Sequence, residues 1–109
     1  MVNRPERLLT VHALLFFNGR RFTKLEIDID HINKDSRSRL RAEDVINIVF
    51  ESLNGSLEEP CAVKSYGKWA CSYFIRWPVV NGKKHKLVFC TCTDEPSTIG
   101  VITLHRVRR

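Results

Sequence analysis

The feature that most restricts the fold is a pair of β-rich runs separated by two residues of turn chemistry. Residues 69–80 and 83–93 are rich in β-branched and aromatic side chains, and Asn81-Gly82 stands between them. Because a two-residue turn with positive φ matches the twist of paired strands, this dipeptide predicts a tight antiparallel hairpin of fixed register. After a turn at residues 94–98, residues 99–107 predict one more strand. The C-terminal half is therefore expected to be an antiparallel sheet.

A helix and a short strand are expected before this sheet. Residues 24–30 alternate charged and apolar side chains, which is typical of a half-buried strand that ends near His31. Glu43 and Asp44 then place acidic groups where the dipole of a helix favours them, and Asn54-Gly55 can end that helix. The apolar positions recur at helical spacing: Leu40, Val45, Ile46, Val49, Phe50 and Leu53.

The N-terminal segment fits two interpretations. Residues 4–17 fit a helix that starts with Pro5, because the apolar positions between Leu8 and Phe16 form a stripe. They also fit a hairpin, in which residues 10–17 and 21–29 are strands joined at Asn18-Gly19. The expected fold class is α+β, with one or two N-terminal helices packed on a mainly antiparallel sheet of about four strands.

Composition predicts one packed domain over residues 1–109. The chain is 43% hydrophobic and 28% charged, which is typical of a globular protein rather than a disordered tail. The longest apolar run, residues 13–17, is far shorter than the roughly 20 residues that span a bilayer. We therefore expect no membrane contact and no signal peptide, and a protein that is cytoplasmic or is delivered into the cytoplasm of a target cell.

The four cysteines show no C-x-x-C spacing, so reduced, buried thiols are the expected state. Cys90 and Cys92 share one face of a predicted strand, and a zinc site is the alternative. The histidines that could complete such a site are His31, His85 and His105.

Charge is segregated along the chain, whose formal net charge is +6. Residues 42–60 contain five acidic residues and no basic ones, whereas residues 61–93 contain six basic residues and no acidic ones. This predicts a positive surface that attracts polyanions such as RNA, or a basic face that only keeps the protein in solution. The predicted RNA contacts are Lys64, Lys68, Lys83, Lys84, Lys86, Arg106 and Arg108.

Three short motifs resemble the small bacterial toxin ribonucleases of the RelE, BrnT and colicin D type, which share a barnase-like fold. His31, Arg37 and Arg39 precede Ala42-Glu43-Asp44-Val45, Arg76 lies in the central hairpin, and Ile102-Thr103-Leu104-His105-Arg106 falls in the final strand. His105 stands where a tyrosine is usual in that family. The resemblance covers roughly residues 27–106, and it implies a RelE-like fold and an endoribonuclease that needs no cofactor.

Such a reaction needs acid-base groups and cations around the phosphate. Histidine suits the first role, because its pKa lies near neutral pH, and arginine suits the second, because its planar fork matches phosphate oxygens. Thr103 and His105 share one strand face, where His31 with Arg37 or Arg39 would meet them. The candidate catalytic residues are His31, Arg37, Arg39, Arg76, Thr103 and His105, each of which has a structural alternative as a surface or sheet residue.

The sequence favours a toxin-type endoribonuclease with an acidic antitoxin or immunity protein as its partner. The alternative is a non-catalytic nucleic-acid- or protein-complex-binding module of phage or mobile-element type, which the basic surface supports without any histidine. Trp69, Tyr73 and Trp77 are expected to be core or sheet cover more than base-stacking platforms.

Overall fold

A computed structural model describes residues 8–29, 32 and 40–107 of the chain. Seven strands dominate these residues, and one face of the sheet packs against a helix. The elements in chain order are β1 (Leu8–Phe17), β2 (Arg20–Asp28), α1 (Ala42–Leu53), β3 (Ala62–Tyr66), β4 (Trp69–Arg76), β5 (Val79–Val80), β6 (Lys83–Cys92) and β7 (Glu95–Arg106). In the described part of the chain, no helix is long and apolar enough to cross a membrane.

The strands form one mixed sheet in the order β1-β2-β7-β6-β4-β3, with β5 paired to β6. Neighbouring strands run antiparallel except β2 and β7, which are parallel, with Leu25 opposite Ile99 and Ile27 opposite Val101. A parallel pair needs a long connection between its strands. Here that connection contains α1 and the strands from β3 to β6.

The predicted α+β fold, with N-terminal helices on a sheet of about four strands, is wrong. The chain is mostly β, and residues 8–17 form a strand. The hairpin interpretation is the correct one, because Asn18 and Gly19 adopt φ of 53° and 71° in the turn between β1 and β2. Leu15 and Phe17 point into the core, whereas Leu14 and Phe16 are 54% and 48% exposed. These two outward apolar side chains hide the alternation of the strand in a continuous apolar run.

Two other predicted elements are confirmed. The helix α1 ends at Leu53, and Gly55 follows with a φ of 79°. Asn81 and Gly82 adopt φ of 52° and 75°, which gives the predicted tight turn before β6. The sequence did not predict β3, which forms a hairpin with β4 through Gly67 and Lys68.

The core lies between α1 and the sheet face that α1 covers. The helix buries Val45, Ile48, Val49 and Leu53. At the centre, the rings of Phe74 and Phe89 stack with centroids 5.1 Å apart, and Phe17 meets both rings edge-on at 5.1 and 5.3 Å. Phe17 belongs to the edge strand β1 and Phe74 to β4, so the sheet must curl strongly to bring them together.

Residues 54–58, which follow α1, cover the outer edge of β1. The backbone N–H of Gly55 donates to the carbonyl of Phe16 at 2.6 Å, and the N–H of Asn18 donates to Ser56 at 2.9 Å. The Asn18 side chain exchanges two hydrogen bonds with the backbone of Glu58, at 2.6 and 2.9 Å. These bonds satisfy backbone groups that an edge strand would otherwise leave open.

The expectation of reduced thiols is wrong for two of the four cysteines. Cys71 of β4 lies directly opposite Cys92 of β6, and their sulfur atoms are joined in a disulfide. The hairpin register places the two side chains together, which sequence spacing could not show. Cys61 and Cys90 are free thiols.

Candidate nucleic-acid interface

Among the described elements, α1 packs on one face of the sheet, and we call the other side the open face. Its members follow from the register, because side chains alternate along each strand. Phe74 and Phe89 lie opposite each other and point into the core, so their sequence neighbours point outward. The open-face residues of β3, β4 and β6 include Lys64, Tyr66, Trp69, Cys71, Tyr73, Ile75, Lys84, Lys86, Val88 and Cys90.

Aromatic rings line the open face beside the turn between β3 and β4. Tyr66 and Trp69 stack with ring centroids 4.4 Å apart and planes inclined by 20°. The hydroxyls of Tyr66 and Tyr73 are 3.0 Å apart and share a hydrogen bond. This bond, together with burial, raises the pKa of Tyr73 to about 12. The contact with Tyr66 therefore favours the neutral phenol of Tyr73 up to strongly alkaline pH.

Lysines flank the rings from both neighbouring strands. The Nζ atom of Lys64 lies 5.6 Å from the ring centroid of Tyr73. The Nζ atoms of Lys84 and Lys86 lie 4.9 and 5.7 Å from the ring centroid of Trp77, which is 50% exposed. We call the combined set the aromatic–lysine strip: Lys64, Tyr66, Trp69, Tyr73, Trp77, Lys84 and Lys86.

The segregation of charge along the sequence becomes a segregation in space. Residues 61–93 contain no acidic side chain, and the strands that they form, β3 to β6, are neighbours in the sheet. Carboxylates gather instead near Cys90. Burial raises the pKa of the Cys90 thiol, and the charges of Glu26, Asp94 and Glu95 add to that effect. The open face thus has a basic, aromatic part and an acidic part.

Arg76, a predicted catalytic residue, lies on the face of β4 that packs against α1. Its guanidinium donates to Glu58 Oε1 at 2.8 Å and to the carbonyl oxygen of Ser52 at 2.6 Å. These contacts join the end of the helix and the following loop to the sheet. The structure does not bring Arg76 together with Thr103 and His105, because they lie on the opposite face.

Thr103 and His105 do share the open face. In the pairing of β6 with β7, His105 lies opposite Lys86 and Thr103 lies opposite Val88. The exposed imidazole of His105 therefore borders the aromatic–lysine strip. Four other predicted site residues lie outside the described residues: His31, Arg37, Arg39 and Arg108.

The predicted RNA-contacting residues divide between the two faces. Lys64, Lys84 and Lys86 belong to the strip, and Lys68 is exposed in the turn that precedes Trp69. Lys83 and Arg106 are exposed too, but they alternate with open-face neighbours in β6 and β7 and point to the other side.

The zinc alternative at Cys90 and Cys92 does not fit the structure, because the Cys92 sulfur is bonded to Cys71. His85 is buried, and its Nδ1 lies 2.9 Å from the carbonyl oxygen of Lys83. Across residues 8–29, 32 and 40–107, no three His, Cys, Asp or Glu side chains are grouped as metal ligands.

Comparison with known proteins gives no assignment, since the chain matches no family model, no curated protein and no solved structure at a significant level. The resemblance to toxin ribonucleases stays a prediction from short motifs. The N-terminal helices and four-stranded sheet that accompanied it are not the fold observed.

The aromatic members of the strip are the functional candidates that sequence reasoning undervalued. Tyr66 is not among the predicted site residues, and the sequence predicts that the other three rings are core or sheet cover. A usable signal was present, because Trp69, Tyr73 and Trp77 recur every four residues and must share one strand face. Once Phe74 is assigned to the core, all three belong to the opposite face.

Proposed function

We propose that the chain binds single-stranded RNA on the open face, with bases stacked on the rings and phosphates held by the lysines of the strip. The observation that carries this proposal is the coincidence of partly exposed rings and lysines on one surface that no described element covers. Stacking and phosphate contacts together are the usual means of binding single strands. We also propose a cytoplasmic location, because that is where the RNA ligand of such a protein is found.

The cation–π contacts that the lysines make with Trp77 in the free protein are weak enough to be replaced by a stacked base of the RNA. An exposed cation–π contact contributes about 0.5–1 kcal/mol, whereas a base stacked on an aromatic side chain contributes about 1–3 kcal/mol. The two contacts on Trp77 together contribute about 1–2 kcal/mol, so a base displaces Lys84 and Lys86 from that ring with the help of the phosphate contacts that the freed lysines then make. The released ammonium groups then lie next to the phosphates of the same strand.

The geometry favours a single strand over a duplex. A base can stack on Trp69 or Trp77 only if its own face is free, and the bases inside a duplex are already stacked on each other. Stacking does not distinguish one base from another, because every base has a π-face. The proposed interaction is therefore tolerant of RNA sequence.

Intrinsic fluorescence tests the proposal directly, because Trp69 and Trp77 are the two tryptophans of the chain and both belong to the strip. Adding an oligouridylate at low salt should quench the emission, and a duplex of equal length should bind more weakly. Trp69→Ala should weaken binding by about 5- to 150-fold. Val63→Ala, on the opposite face of β3, is the matched control and should not. Unquenched emission together with no retention of labelled RNA would refute the proposal.

A second candidate, the toxin-type endoribonuclease, is favoured by the position of His105 opposite Lys86, with Thr103 on the same face of β7. There His105 could move a proton while Lys86 contacts the phosphate. An acidic antitoxin or immunity protein would then cover the basic strip. Incubation with total bacterial RNA in EDTA tests this reaction on a denaturing gel. Discrete fragments that disappear with His105→Ala and His31→Ala would support cleavage, and intact RNA with retained binding would leave the binding function alone.

A further inference from the structure

We infer that the bound RNA strand runs along β4, from the Tyr66–Trp69 stack to Trp77, in a site of about five nucleotides. This inference rests on the proposed function and adds the direction and length of the ligand. Three rings come from β4 and the residue that follows it, at positions 69, 73 and 77. With a rise of about 3.3 Å per residue, neighbouring rings are about 13 Å apart and the outer two about 26 Å.

The neighbouring strands support this direction. Lys64 of β3 lies on one side of β4, and Lys84 and Lys86 of β6 lie on the other, so cations border the row of rings along its length. A path across the strands would need rings on β6 and β7. The open-face positions of β6 carry no ring, since they are Lys84, Lys86, Val88 and Cys90, and the described part of β7 offers there only the imidazole of His105, at its C-terminal end, beside Gly100 and Thr103.

The open-face side chains between the rings are apolar and do not project beyond the rings. Cys71, which is 4% exposed and bonded to Cys92, lies between Trp69 and Tyr73 on the open face. Ile75 occupies the equivalent position between Tyr73 and Trp77. Neither side chain would obstruct a strand that passes from one ring to the next.

The length of the row sets the size of the site. Stacked nucleotides are about 3.4 Å apart, and an extended strand has roughly twice that spacing. A distance of about 26 Å thus corresponds to four intervals, or about five nucleotides, at the lower end of the range of about 4–16 known for small single-strand-binding domains.

Single-tryptophan variants can report the two ends of the site separately. In Trp77→Phe the emission comes from Trp69, and in Trp69→Phe it comes from Trp77; both changes keep a ring in place. Each variant would be titrated with oligouridylates of two to eight nucleotides, and end-labelled RNA would measure total binding. For five nucleotides or more, both variants should give the same Kd at one strand per protein. A trimer should bind about tenfold more weakly than a pentamer, and longer strands should gain little.

Two results would overturn the inference while the proposed function stands. In the first, labelled RNA binds but only one tryptophan is quenched at every length, which means that the strand crosses β4. In the second, a trimer binds as tightly as an octamer, which means that the site is shorter than the row of rings. If no oligonucleotide binds by either measurement, the proposed function fails as well.

Discussion

The salt dependence of RNA binding can be worked out from the number of lysines in the strip. Each phosphate that a lysine neutralises on a single strand contributes about −0.7 to the slope of log K against log salt concentration. The strip contains Lys64, Lys84 and Lys86. Three contacts give a slope near −2, so affinity should fall about 20-fold between about 50 and about 200 mM salt.

Replacing Lys84 and Lys86 together by glutamine should leave one of the three contacts. The slope should then fall to about −0.7, and the loss of affinity over the same range to about threefold. The assay is the quenching of tryptophan by oligouridylate at a series of salt concentrations. Lys24→Gln is the matched control, because Lys24 lies on β2, outside the strip.

A wild-type slope close to zero would refute the reasoning, because the lysines would then make no phosphate contacts. An unchanged slope in the double variant would place the contacts elsewhere on the protein. If Lys24→Gln reduced the slope as much as the double variant did, the phosphate contacts would not be confined to the lysines of the strip.

Three further predictions follow from individual contacts. Arg76→Met should lower the free energy of unfolding by about 1 kcal/mol, because it leaves two part-buried acceptors without their donor, yet RNA affinity should not change; urea denaturation measures the stability and fluorescence titration the affinity. Tyr73 should titrate well above the ordinary pKa of 10.0, toward about 12, and Tyr66→Phe should return it toward the ordinary value in a phenolate absorbance titration. Since the fold favours the neutral phenol, this contribution to stability is complete below about pH 10 and is lost as the pH rises through about 12. Reducing the Cys71–Cys92 disulfide, whose residues are 21 apart in sequence, should cost about 3 kcal/mol of stability in urea denaturation with and without a dithiol.

Each of these predictions has a control. A loss of RNA binding in Arg76→Met at unchanged stability would contradict its structural role. The chain has two tyrosines, so the absorbance titration reports only the hydrogen-bonded pair, and an unshifted wild-type curve would exclude the bond between them. Cys71→Ser should be insensitive to the dithiol, and equal stability of the oxidised and reduced wild-type protein would count against the disulfide.

The local sequence pattern predicted an element correctly where that element has a strong signal of its own. The acidic first turn and apolar stripe gave α1, and Asn81-Gly82 gave the turn between β5 and β6. The pattern failed for β1, because its outward positions include Leu14 and Phe16. It failed again for β3, where all five side chains are exposed and no apolar alternation marks the strand.

The arrangement of the candidate site depended on strand pairing, which one sequence does not determine. Lys84 and Lys86 were predicted RNA contacts, but their position over Trp77 follows from the register of β4 and β6. The same register places Arg76 on the core side and His105 on the open side. The parallel pairing of β2 with β7 joins segments about 70 residues apart, and no local pattern encodes such a contact.

The parallel pairing of β2 with β7 also joins two parts of the sheet that can pair their strands separately during folding. The hairpin of β1 and β2 and the antiparallel strands β3 to β7 each pair strands that are close in sequence, and we expect such pairings to form early because short loops close at little entropic cost. Within the sheet they are hydrogen-bonded along one seam, where Lys24–Ile27 lies against Thr98–Val101. Every residue of the aromatic–lysine strip lies on the same side of that seam. The N-terminal hairpin therefore completes a sheet in which the strands that carry the strip can already be paired, and we expect slow docking of the hairpin to delay stability more than it delays formation of the strip.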